Sequence, residues 1–203
     1  ESAADYLTID SLTKIAVDAR YFYGAPAAGL PVKASLTISR NDAPVPAFPS
    51  YVFTLADETV SALQLPLPDA RTDESGHVEL EINLDQLPST PQPLKATLNV
   101  EVYELGGRPV IKSIDLPIRT QPVLVGLKPL FSDDQVPDNA EAAFEVIATS
   151  PDGTPVAVDG LHYRVVREDW DYQWYYNNGF WDYEIAIRDQ PVSNGEIAVA
   201  ANL

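Results

Sequence analysis

Val32-Lys33-Ala34-Ser35-Leu36-Thr37-Ile38-Ser39 alternates apolar and polar residues without a break. A period of two puts Val32, Ala34, Leu36 and Ile38 on one side of a β-strand and the polar residues on the other. The same grammar recurs downstream at Val78–Leu80–Ile82–Leu84 and at Leu94–Ala96–Leu98–Val100–Val102. Gly106-Gly107 then supplies a tight turn, and Val110 to Ile118 reads as the returning strand of a hairpin. No sustained 3.6-residue apolar repeat intervenes. Residues 1–120 are therefore read as an antiparallel β-sandwich.

Pro117, then Arg119-Thr120-Gln121 and Pro122, interrupt the strand pattern before a fresh apolar run opens at Val123. Phe144–Val146–Ala148 alternates, Asp152-Gly153 turns, and Tyr163–Val165 alternates again. Ile185–Ile187, Asn194-Gly195 and Ile197–Val199 read as a terminal hairpin. The fold class that follows is all-β, two tandem antiparallel sandwiches of fibronectin or immunoglobulin type, at 1–120 and 121–203. The second is short for a sandwich and is expected to lack a final strand. Arg119–Pro122 is the expected joint.

Composition agrees with this reading. The 203 residues include 45% hydrophobic residues, enough for packed cores, and 18 prolines, which oppose long helices. A formal net charge of −17 repels phosphate backbones and anionic head groups, which excludes nucleic acid as a natural partner. There is no cysteine, so no disulfide, thiolate zinc site or cysteine nucleophile can form. No apolar run approaches a membrane span and no basic-then-apolar leader opens the chain. A start without methionine and an end at Asn202-Leu203, in the middle of a pattern, lead to the expectation of a piece cut from a longer protein.

The densest chemistry lies in Glu168-Asp169-Trp170-Asp171-Tyr172-Gln173-Trp174-Tyr175-Tyr176-Asn177-Asn178-Gly179-Phe180-Trp181-Asp182-Tyr183, where half of the residues are aromatic against 9% for the whole chain. Flat rings beside carboxylates can stack on sugars. A hairpin explains them more simply. Trp170, Tyr172 and Trp174 alternate onto one face, Asn177-Asn178-Gly179 turns, and Trp181 and Tyr183 return as cross-strand partners. These five are the candidate packing or interface aromatics.

Paired carboxylates at Asp57-Glu58, Asp73-Glu74, Asp133-Asp134 and Asp169 to Asp171 match no calcium loop and read as solvated loops. His77 and His162 are isolated inside strand patterns, so no metal site is assigned. There is no G-x-S-x-G elbow, no S-x-x-K element and no phosphate-binding glycine loop; Gly24, Gly29, Gly106 and Gly107 read as turn residues. No catalytic residue and no cofactor is assigned.

Two phrases resemble the bacterial alpha-2-macroglobulins. Ala19-Arg20-Tyr21-Phe22-Tyr23-Gly24-Ala25-Pro26-Ala27-Ala28-Gly29-Leu30-Pro31-Val32 is similar to that family's opening strand and G-x-P-x-x-G-L loop, with Phe48-Pro49-Ser50-Tyr51-Val52-Phe53 following as in the same module. Gly160-Leu161-His162-Tyr163-Arg164-Val165-Val166-Arg167-Glu168, running into Asp171–Tyr175 and Gly179-Phe180-Trp181, resembles the aromatic hairpin of the next module. The resemblance implies two macroglobulin-like domains upstream of the bait region of a periplasmic, inner-membrane-anchored, protease-trapping lipoprotein. It also implies that proteases are partners of the full-length protein, that neighbouring domains are partners of this chain, and that any lipid anchor lies outside it. The family's thioester cannot be carried over, because it needs a cysteine. A non-catalytic framework role follows from the resemblance, with a carbohydrate-binding or adhesin-type sandwich as the rival.

Overall fold

The computed structural model describes residues 5–9, 11–104, 106–131, 136, 140–177 and 179–201, and among them there is no helix. The strands in chain order are β1 (Leu7–Thr8), β2 (Thr13–Asp18), β3 (Pro31–Arg40), β4 (Leu63–Pro66), β5 (Ala70–Arg71) and β6 (His77–Ile82). They continue with β7 (Leu94–Val102), β8 (Val110–Arg119), β9 (Leu124–Pro129), β10 (Phe144–Thr149), β11 (Val158–Asn177) and β12 (Phe180–Val199). The chain forms two compact units, Glu1–Thr154 and Pro155–Leu203.

In the first unit, one sheet runs β1-β8-β7-β3-β4, with β5 also on β3, and a second holds only β2 and β6. All pairings are antiparallel except β1 with β8, where Leu7 lies beside Ile118. The alternating residues form the core as their period dictates. Val32, Ala34, Leu36 and Ile38 of β3 and Leu94, Ala96, Leu98 and Val100 of β7 are buried against Ile15, Val78, Leu80 and Ile82 of the small sheet. The hairpin at Gly106-Gly107 forms as expected, and β7 and β8 pair from Val102↔Val110 to Leu94↔Ile118.

The small sheet covers only part of the large one. Leu116 and Ile118 of β8 are buried, whereas Val110 and Ile111 at its other end are open to solvent.

A second, smaller core sits in the same unit. The long connection between β3 and β4 brings Val45, Phe48, Tyr51 and Phe53 against Leu124 and Ile147 of the β9–β10 hairpin. Val52 and Leu127 bond each other's backbones at 2.8 and 2.9 Å. The Phe53 ring lies directly over Gly126, where an added Cβ would sit 2.7 Å from a ring carbon. Glycine is what allows that approach.

The segment expected as a joint is held at both ends. The Arg119 guanidinium lies 3.5 Å from the Tyr6 ring centroid and also pairs with Asp152. The Gln121 side-chain amide donates to the Pro91 carbonyl at 2.8 Å.

The second unit is a two-stranded antiparallel ribbon, β11 with β12, paired from Asn177↔Phe180 to Val158↔Val199. Here one expectation is corrected. Asn194-Gly195 is not a turn but part of β12, opposite Arg164 and Tyr163. The reason is steric: the Tyr163 ring lies over Gly195 at 2.8 Å from a notional Cβ, so the glycine makes room for a cross-strand aromatic ring. What read as a separate terminal hairpin at Ile185–Val199 is one continuous strand.

Candidate functional site

The ribbon turns next to Gly179, whose φ of 89° lies in the left-handed region that a tight hairpin turn demands. Asn178, expected in that turn, lies outside the described residues. From the tip, the direct partners are Tyr176↔Trp181, Trp174↔Tyr183, Tyr172↔Ile185 and Trp170↔Ile187. Direct partners in an antiparallel pair point to the same side. One face therefore carries eight large apolar side chains in four consecutive rungs.

Their rings touch along the ladder. Tyr176 and Trp181 meet edge-on at 5.4 Å, Trp174 and Tyr183 lie at 5.1 Å, and Tyr172 and Tyr183 at 5.8 Å. Tilted and edge-on aromatic pairs at such distances each contribute about 0.5–1.5 kcal/mol beyond area burial. Of the five rings expected as packing or interface aromatics, Tyr172 and Trp174 each meet Tyr183, Trp181 meets Tyr176, and Trp170 stands opposite Ile187; none of the five is buried. Trp174 is 63% exposed and Trp181 is 69% exposed.

The opposite face has the reverse character. Arg167, Asp169, Asp171, Gln173 and Tyr175 stand across from Gln190, Arg188, Ala186, Glu184 and Asp182. Arg167 Nε donates to Asp169 at 3.0 Å and its Nη2 to Gln190 at 3.0 Å. The Asp182 charge beside Tyr175, reinforced by partial burial and a long hydrogen bond, holds that phenol above its ordinary pKa. The ribbon is thus amphipathic across its two faces, with the apolar face exposed.

Tyr176, Ile185 and Ile187 belong to this face and were not singled out from the sequence. The signal was there, since Tyr176 continues the even-numbered run from Trp170. Reading Ile185–Ile187 as part of another hairpin concealed the other two.

The remaining candidates are not brought together. His77 Nδ1 lies 3.0 Å from Asp18 at the β2–β6 edge, and His162 lies on the ribbon opposite Glu196. Asp73 caps its own turn, accepting bonds from Ser75 and from the His77 backbone. Glu58 accepts from Thr90, and Asp133-Asp134 lie outside the described residues. No group of three potential metal ligands occurs among the described residues.

The Gly24–Leu30 phrase is a structural clasp. Thr72 Oγ1, buried, accepts from the Leu30 amide at 2.9 Å and donates to the Ala27 carbonyl at 2.7 Å. Ala27 N donates to the Ala19 carbonyl at 3.0 Å, and Gly76 packs so closely there that a Cβ would lie 2.3 Å from that same oxygen.

Residues 1–120 match the family described as Bacterial Alpha-2-macroglobulin MG5 domain, and residues 126–203 match Bacterial macroglobulin domain 6. An alpha-2-macroglobulin of Xylella fastidiosa is 35% identical over 193 residues, covering 92% of this chain and 12% of the relative. The chain therefore spans about one eighth of the length of that curated relative. Among solved structures, Salmonella alpha-2-macroglobulin reacted with methylamine superposes with a TM-score of 0.79 at 25% identity, over 100% of this chain and 14% of the other. Escherichia coli alpha-2-macroglobulin activated by porcine elastase gives a TM-score of 0.66 at 27% identity, over 96% and 18%.

Proposed function

We propose that this chain, which belongs to the bacterial alpha-2-macroglobulin family, is a non-catalytic framework segment of a protease-trapping protein and docks onto the rest of that protein through its aromatic ribbon face. The observation that carries the docking is the open ladder of Trp170, Tyr172, Trp174, Tyr176, Trp181, Tyr183, Ile185 and Ile187 on one side of β11–β12. An isolated two-stranded ribbon is marginal in water, so a face of this kind gains by being covered. Family membership supports the trapping role, and an elastase-activated relative supports proteases as partners of the complete protein. The same membership supports a periplasmic location with an anchor outside this chain; cell fractionation of the parent protein checks it.

A framework segment has no activity alone. The 203-residue chain is expected to leave a panel of endopeptidases uninhibited, while the parent protein captures them. Stoichiometric inhibition by the chain itself overturns the reading. A glycan array supplies the other arm, because the rings are accessible enough to stack on sugars. Saturable binding of one glycan, lost in Trp174→Ala, replaces the docking face with a sugar platform.

A further inference from the structure

Beside β2 the sandwich of the first unit is open. A cavity of about 410 Å³ is lined there by Ile15 to Arg20, by Leu98, Val100 and Val102 of β7, and by Val110, Lys112 and Ile114 of β8. The two kinds of lining differ. From β7 and β8 only alternate residues contribute, as the inner face of a sheet does. From β2 every residue after Lys14 contributes, as the edge of a strand does.

That edge is unpaired. β2 bonds β6 on one side, and no described strand pairs with it on the other. Ala19 N donates to the Gly76 carbonyl at 2.8 Å, which fixes the alternation along the pair. Residues 13, 15 and 17 direct their backbone groups to β6, so Lys14, Ala16 and Asp18 direct theirs outward to the cavity. His77 agrees with this phase, because its own amide and carbonyl bond the Asp73 turn rather than Asp18.

The floor carries one charge. Lys112 occupies an inward position between Val110 and Ile114, and it takes part in no ion pair among the described residues. Of the other charged groups that line the groove, Asp18 is engaged by His77, whereas Arg20, whose backbone bridges Pro26, and Glu104 enter no ion pair among the described residues.

We propose that the free edge of β2 and this groove form a strand-addition site for an extended peptide segment with apolar side chains at alternate positions and one carboxylate among them opposite Lys112. The backbone of such a segment completes the ladder at Lys14, Ala16 and Asp18. Its inward side chains fill the space over Leu98, Val100 and Ile114, and its carboxylate meets the Lys112 ammonium. The occupant is a peptide strand rather than a small apolar molecule because only a strand uses both the edge and the floor.

The test uses the whole 203-residue chain and synthetic peptides of about eight residues, valine alternating with threonine, with aspartate or lysine at one valine position. Titration calorimetry is expected to show one saturable site for the aspartate peptide. Hydrogen exchange is expected to show new protection at the Ala16 and Asp18 amides. Ala16→Pro removes an outward N–H without touching the β6 ladder and should weaken binding by at least about tenfold. Ala16→Val, which keeps the N–H, should bind as the parent chain does, and circular dichroism verifies that both fold. Lys112→Glu should reverse the preference toward the lysine peptide. Three results each overturn the proposal: no peptide saturates, Ala16→Pro binds as well as the parent chain, or the chain self-associates through β2 in sedimentation and Ala16→Pro makes it monomeric. Equal binding of an apolar dye to the parent chain and to Ala16→Pro, without peptide binding, assigns the groove to small molecules instead.

Discussion

Trp174 and Tyr183 are direct cross-strand partners, their ring centroids 5.1 Å apart and their planes tilted by 48°, and both rings stay open to solvent. This pairing decides what a tryptophan deletion does. Removing a buried ring leaves a cavity and costs about 3–5 kcal/mol. Removing an exposed ring loses only its partner contacts, about 0.5–1.5 kcal/mol. Trp174→Ala in the 203-residue chain is therefore expected to shift the denaturant midpoint slightly and to speed amide exchange along Tyr172–Tyr176 and Trp181–Ile185. A loss in the larger range places the ring in a core.

Gly126 gives the opposite case, a small residue whose enlargement is not tolerated. A methyl group there meets the Phe53 ring at 2.7 Å and Ile147 Cγ1 at 3.2 Å. Gly126→Ala should destabilise the small core by about 1–3 kcal/mol through overpacking. Gly107→Ala, whose nearest neighbour is the Glu104 side chain at 3.4 Å, is the control. Melts of the two variants side by side check the expectation; equal midpoints contradict it.

Much of the first unit was legible in the sequence because its strands have one wet and one dry face. Val32 to Ile38 and Leu94 to Val100 reveal themselves by period alone, and Gly106-Gly107 marks the turn between β7 and β8. The ribbon was less legible. Its tip was readable from Gly179 and the alternating rings, but Asn194-Gly195 has the composition of a turn, and only the Tyr163 ring across the ladder shows why glycine is needed in a strand. The small core was illegible for another reason. Val45, Phe48 and Phe53 lie in a loop with no period, and what they pack against, Leu124, Gly126 and Ile147, is far away in the chain. The open edge of β2 has no sequence signature at all, since an edge strand and a central strand buried on one face alternate alike.

Two opposed pH dependences follow from ion pairs at strand edges. The Asp18 carboxylate, bonded to the His77 ring, holds the imidazole above its ordinary pKa despite some desolvation. Stability from this pair is present below the ordinary imidazole value and is lost as pH rises through the raised folded value. Asp115 behaves conversely, because the bonds from Lys95 and Thr97 hold it below the usual carboxylate range. Its contribution is present above the ordinary carboxylate value and is lost as pH falls through the lowered one. His77→Gln should flatten the near-neutral limb of a stability–pH profile, and Asp115→Asn the acid limb. An NMR titration of the His77 ring with a midpoint below the ordinary value contradicts the first assignment.

The docking of the ribbon face onto the rest of a protease-trapping protein is tested most directly in the full-length parent. Trp174→Ser with Trp181→Ser removes two rings that are exposed in the 203-residue chain, so the chain itself should keep its fold by circular dichroism. In the parent, the same double variant is expected to capture substantially less protease per molecule than the unmodified protein, with the ribbon amides exchanging faster. Full capture by the double variant, with unchanged exchange along the ribbon, contradicts it.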